Sequence, residues 1–154
     1  MEPLIYNGPV LELDHVETLY SDSSVVRLKL KAVKQFEFDN NDREFPQGIH
    51  LDFYDTDGSL SSTLSADYCY YYNESDTWRA LRNVVIRNMK SQELLNSEEL
   101  YWEPKKEIVY TSKFVRIETG DEILMGEGLQ AKQDFSWWKI LYARGTIELN
   151  EDNQ

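Results

Sequence analysis

The chain of 154 residues holds 28 acidic against 16 basic residues, a formal charge of −12, and a field of that sign repels phosphate and argues against nucleic-acid binding. One cysteine, Cys69, excludes an intrachain disulfide and any paired-cysteine zinc or redox motif, and two histidines, His15 and His50, leave few ligands for a transition metal. The length suits a single domain over 1–154 with its own core. No apolar run is long enough to span a bilayer, and the opening "MEPLIYNGPVLELDH" lacks the basic flank and apolar centre of a signal peptide, so any export signal or anchor is expected to lie outside this sequence.

Residues 10–20 read as an opening strand. In "VVRLKLKA" the residues Val26, Leu28, Leu30 and Ala32 share one face while Arg27, Lys29 and Lys31 share the other, a period of two that predicts a half-buried strand. "IHLDFYDTDGSLSSTLSADY" predicts a hairpin with Ile49, Leu51 and Phe53 inward, a turn at Asp57-Gly58, and Leu60, Leu64 and Ala66 inward again. Further strands follow at 68–72, 77–87, 93–102, 107–111, 113–118, 122–125, 129–131, 136–141 and 146–149. Turn signals separate them, among them Asn73-Glu74-Ser75-Asp76, Pro104-Lys105-Lys106, Thr119-Gly120-Asp121 and Arg144-Gly145. Many short strands without an amphipathic helix predict an antiparallel sandwich, barrel or jelly roll, and the missing crossovers exclude a parallel α/β sheet.

Motifs for chemistry are thin. "DFYDTDG" is rich in carboxylates, but Phe53 and Tyr54 break the alternation of oxygen ligands that a calcium loop requires, and Asp57-Gly58 is explained by the turn. "GEGLQA", residues 126–131, satisfies the letters of a dinucleotide-binding fingerprint, yet the aromatic, strand-like "KQDFSWWKI" follows it where a helix is needed. Gly126 and Gly128 are therefore expected to let a strand bend or pack closely. Cys69 lies in an apolar, aromatic strand that keeps its thiol protonated, no G-x-S-x-G elbow occurs, and Glu98 and Glu99 point to opposite sides of a strand. Asn73-Glu74-Ser75 is a glycosylation sequon that matters only in a secretory eukaryotic setting. No catalytic residue, metal site or cofactor is implied. "DYCYYY" and Trp137-Trp138 leave open a carbohydrate-binding module that stacks sugars on Tyr70, Tyr72 or Trp137.

In order, "FPQGIHLDFYDTDGSLSSTLSADYCYYY", "ALRNVVIRNMKSQELLNSEELYWEPKKEIVYTSKFVRI" and "ILMGEGLQAKQDFSWWKI" resemble LptC, a periplasmic family of the bacterial lipopolysaccharide export machinery. The likeness runs from about Phe45 to Leu149. Its elements include Ala66 with Tyr71 or Tyr72, Asn83-Val84, "LLNSEELYW", Ile108-Val109-Tyr110-Thr111 with Val115, and Gly126-x-Gly128-Leu129-x-Ala131 ending in Asp134-Phe135.

The resemblance implies an all-β fold, an open, twisted antiparallel β-jelly roll folded like a taco around an apolar interior that takes lipopolysaccharide acyl chains. By alternation the inward residues are Leu51, Phe53, Leu64, Ala66, Val84, Ile86, Leu100, Trp102, Val115, Ile117 and Leu129; the same residues would equally build an ordinary solid core. The implied partners are the periplasmic domains of an inner-membrane lipopolysaccharide ABC transporter and an LptA-like bridge protein, in a setting of periplasmic location and inner-membrane tethering. The bridge protein is expected on the edge at Thr146, Ile147 and Leu149, since an unpaired edge accepts a further strand. A soluble LptA-like bridge protein is the neighbouring alternative.

Overall fold

The computed structural model describes residues 5–22 and 25–149. Its elements there are eleven strands: β1 (Leu11–Asp22), β2 (Val25–Glu37), β3 (Arg43–Phe45), β4 (Ile49–Tyr54), β5 (Leu60–Ala66), β6 (Tyr68–Tyr72), β7 (Thr77–Asn88), β8 (Leu94–Glu103), β9 (Ile108–Glu118), β10 (Glu122–Lys132) and β11 (Trp138–Glu148). All belong to one antiparallel sheet, in agreement with the expected β-jelly roll. No helix among the described residues is long and apolar enough to cross a membrane.

The pairing is that of a meander. β3 and β4 together form one bent strand, lying against β6 and β5 respectively, and β7 pairs with β6 along its first half and with β5 along its second. β1 pairs with β2 and β11 with β10, so each leaves one side unpaired among the described residues.

Four elements differ from the sequence reading. Residues 107–118, 122–131 and 136–149 each contain one strand where two were expected, because Ser112, the two glycines of β10 and Arg144-Gly145 lie inside strands. Arg144-Gly145 is no turn: Gly145 stands opposite Met125, and the Arg144 guanidinium meets the Glu127 carboxylate on β10. β3 was not foreseen, since three residues carry no readable period.

Alternation makes one face of the sheet apolar and the sheet folds over that face. The closure shows in Phe53 of β4, whose ring meets Trp102 of β8 edge-on with centroids 5.3 Å apart, although these strands are not neighbours in the sheet. A crease assists the bend. The register shifts between Leu81 and Val84 in β7, between Ser97 and Tyr101 in β8, and at Gly126 and Gly128 in β10. These places line up because Val84 pairs with Ser97, Ser97 with Val115 and Val115 with Gly126. Bulges of this kind sharpen twist and turn a sheet corner.

Candidate functional site

The folded face carries two rungs of side chains. One runs Leu30, Leu51, Leu64, Ile86, Leu95, Ile117, each directly opposite the next from β2 to β9; all are at most 2 % exposed. The other runs Tyr71, Trp78, Trp102, Val109, Ala131 from β6 to β10 and gives one end of the interior an aromatic lining. Tyr71 and Trp102 both pack on Trp78, at centroid distances of 4.7 and 5.3 Å.

Each of Leu51, Phe53, Leu64, Ala66, Val84, Ile86, Leu100, Trp102, Val115, Ile117 and Leu129 is buried, and all join one continuous cluster. Their side chains meet one another across the interior and fill it. Polar atoms are few there and satisfied. Ser62 Oγ donates to the Gln133 carbonyl at 3.1 Å, and Ser97 Oγ reaches the carbonyls of Glu99 and Phe114 at 2.9 and 3.2 Å. No buried side-chain nitrogen or oxygen among the described residues lacks a partner, which a low-dielectric interior requires.

At the aromatic end the interior opens into a recess of about 270 Å³ whose walls include Tyr20, Leu28, Arg43, Tyr71, Trp78 and Trp102. Arg43 spans its rim: Nη1 donates to the Tyr20 hydroxyl at 3.1 Å and the guanidinium lies 5.3 Å from the centre of the Tyr71 ring. Elsewhere the connection at 133–137 covers the interior, with Phe135 fully buried beneath it. The sequence marks Phe135 only as the end of the family motif and not as an inward residue, because it follows Asp134 in a turn and belongs to no alternating run.

The register of β10 shifts against β11 at Gly126 and against β9 at Gly128. A Cβ on Gly126 would press on Ile140 Cγ2 and lie 2.5 Å from the Tyr142 carbonyl oxygen, and Gly128 has φ +84°. On β11, Thr146 and Ile147 are exposed, and Leu149 is exposed just past its end. The neighbouring Leu141 and Tyr142 are exposed too, so the outermost strand presents apolar side chains beside an unpaired backbone. The opposite edge is acidic: Glu12, Asp14 and Glu17 lie along β1, held by Lys34 and Lys29 of β2.

Three of the four tyrosines of 68–72 donate their hydroxyls to carboxylates, while Tyr72 is exposed. Tyr70 donates its hydroxyl to Asp42 at 2.8 Å and Tyr71 donates to Asp76 at 2.7 Å. Burial first, and then these carboxylates, push both phenols up to about 12. Tyr70 and Tyr72 stand together with centroids 4.7 Å apart, but Trp137 is exposed on the connection before β11, so the three do not form one platform. Cys69 is buried, and loss of solvent raises its thiol pKa. Among the described residues no group of three or more His, Cys, Asp or Glu side chains could hold a metal ion.

A search of the curated proteins finds no match to this chain. The family model described as "Lipopolysaccharide-assembly, LptC-related" matches residues 9–143, a span that takes in β1 to β10 and the first half of β11. The chain thus belongs to the LptC family, and its role lies in periplasmic lipopolysaccharide transport.

Proposed function

We propose that this protein is a non-enzymatic carrier that holds lipopolysaccharide by its acyl chains within the folded sheet. It receives the lipid from the periplasmic domains of an inner-membrane ABC transporter and passes it to an LptA-like bridge protein that adds to the free side of β11, the domain being tethered to the inner membrane in the full-length protein. The observation that carries this reading is the unbroken aliphatic rung from Leu30 to Ile117, which offers a continuous apolar track across the sheet. Burial of a methylene stabilises by roughly 0.8 kcal/mol, so a chain of about a dozen is worth on the order of 10 kcal/mol before ordering costs. The phosphates and sugars stay in solvent, where salt screens the net negative charge within about 8 Å.

The test uses two adjacent residues of β5. Leu64 points into the interior and is 2 % exposed, whereas Ser65 points to the other face. A photo-reactive residue at Leu64 should crosslink lipopolysaccharide and the same residue at Ser65 should not. Equal labelling at both positions would refute an interior site.

A further inference from the structure

Within the buried apolar cluster, Phe135 is the one member that no strand carries. Every other side chain of the cluster is fixed to a backbone held by ladder hydrogen bonds; Phe135 enters from the connection 133–137 with φ +58°, a conformation that a bulky side chain adopts only when its surroundings impose it. What imposes it is a small set of single bonds. Ser62 Oγ donates to the Gln133 carbonyl at 3.1 Å, Asn88 Nδ2 donates to the Asp134 carbonyl at 3.0 Å, and Trp102 Nε1 donates to Gln133 Oε1 at 2.8 Å. The Gln133 N–H donates to the Glu107 carbonyl at 3.0 Å, and the Phe135 ring stacks on Trp138.

The recess at the aromatic end holds about 270 Å³, so a lipid that passes beyond it into the packed cluster must displace something. Strand-borne side chains can only turn in place on a ladder-held backbone, while lifting 133–137 withdraws a whole aromatic ring from the core and leaves the sheet pairing intact. It also frees three side-chain donors, Ser62, Asn88 and Trp102, whose present acceptors are all oxygens of the same connection. Freed donors in an apolar setting need new acceptors, and the carbonyl oxygens of ester- or amide-linked acyl chains supply them.

We infer that the seat of Phe135 is the first acyl-chain site, and that 133–137 is a plug which an ester- or amide-linked acyl lipid displaces. The inference rests on the carrier reading above and adds to it where the chain enters and which atoms receive its head. In the unliganded protein the plug occupies the site, so measured affinity is lowered by the small fraction of molecules in which it is open.

The experiment titrates the wild type and Phe135→Ala with a dodecanoyl ester brominated in its chain, read by quenching of tryptophan fluorescence, with lipopolysaccharide binding as a parallel arm. Phe135→Ala should melt lower yet bind the ester tighter by about tenfold or more, since no side chain competes for the seat. In the wild type, hydrogen exchange at the amides of Gln133 and Phe135 should quicken when the ester is added while the amides of β7 to β9 stay protected. Equal affinity in the two proteins, or unchanged exchange at 133–137 in wild type that does bind, overturns the plug and leaves the carrier reading standing. Failure of both proteins to bind either the ester or lipopolysaccharide overturns the carrier reading itself. If Phe135→Ala does not fold, the exchange measurement on wild type decides alone.

Discussion

Trp102 and Gln133 are joined by a hydrogen bond of 2.8 Å from the indole nitrogen to the amide oxygen, which fastens the aromatic end of β8 to the connection that covers the interior. The bond lies where water is scarce, since Trp102 is 4 % exposed. A tryptophan is required there because its ring joins the packed aromatics while its N–H reaches a polar partner.

Trp102→Phe keeps a ring and loses both the donor and part of the volume. Leaving the Gln133 oxygen unpaired and a gap beside Trp78 should cost about 2–3 kcal/mol. For a chain of this size that is a drop of roughly 5–10 °C in Tm, measurable by calorimetry. An unchanged Tm would show that the bond is not made in solution.

Glu99 is nearly buried on β8, and its Oε2 accepts two bonds from Arg79, at 2.7 and 3.1 Å, with the Arg79 side chain 35 % exposed. Arg79→Met should destabilise by about 2 kcal/mol, below the figure for a fully buried pair because the guanidinium is partly solvated. The double variant Arg79→Met, Glu99→Leu should recover most of that loss, since it removes the stranded carboxylate. A double variant no more stable than Arg79→Met alone in urea unfolding would contradict this account.

The two glycines of β10 should respond differently. Gly126→Val places atoms against the Tyr142 carbonyl and should detach β11, seen as rapid proteolysis near Arg144. Gly128→Ala meets Leu141 side-chain atoms at 3.0–3.2 Å, which can shift, so its cost is the positive φ, about 1 kcal/mol. Equal losses from the two changes would mean that backbone proximity at Gly126 is not what excludes a side chain.

Alkali should unfold the protein through its tyrosines. Burial, aided by Asp42, Asp76 and Glu103, pushes Tyr70, Tyr71 and Tyr110 up to about 12. The unfolded chain loses these protons near pH 10, at about the ordinary phenol value. Between those limits the folded state binds more protons than the unfolded one, so stability is complete below about pH 10 and falls as pH rises towards 12. Tyrosinate absorbance should therefore rise later in the native protein than in urea, and Tyr70→Phe with Tyr71→Phe should flatten the fall of Tm with pH.

Much of the fold was legible because alternation is a local property. Val26 to Ala32 and Ile49 to Phe53 show their inward faces without help from the rest of the chain. The crease was not legible, since Arg82 and Asn83 both adopt positive φ in mid-strand, and nothing in "ALRNVVIRN" announces it. Glu99 and Leu100 are buried in succession across the same irregularity, which defeats a strict period of two. Arg144-Gly145 read as a turn between strands, yet Gly145 lies within β11 opposite Met125. The inward residues could be picked one by one, whereas their union into rungs depends on register, which the sequence of a single strand does not contain. The burial of Phe135 stayed hidden because its place depends on residues as distant as Ser62.

The meander also governs how the chain acquires its structure. Most strands pair with one close by in sequence, the pairing of β3 with β6 being the widest exception, so most hairpins close short loops. The contact between Ser62 and Gln133 is of another kind, spanning 71 residues. Closing a loop of that length costs more entropy than closing a hairpin, so the 133–137 connection is expected to close after β7 to β10 have paired.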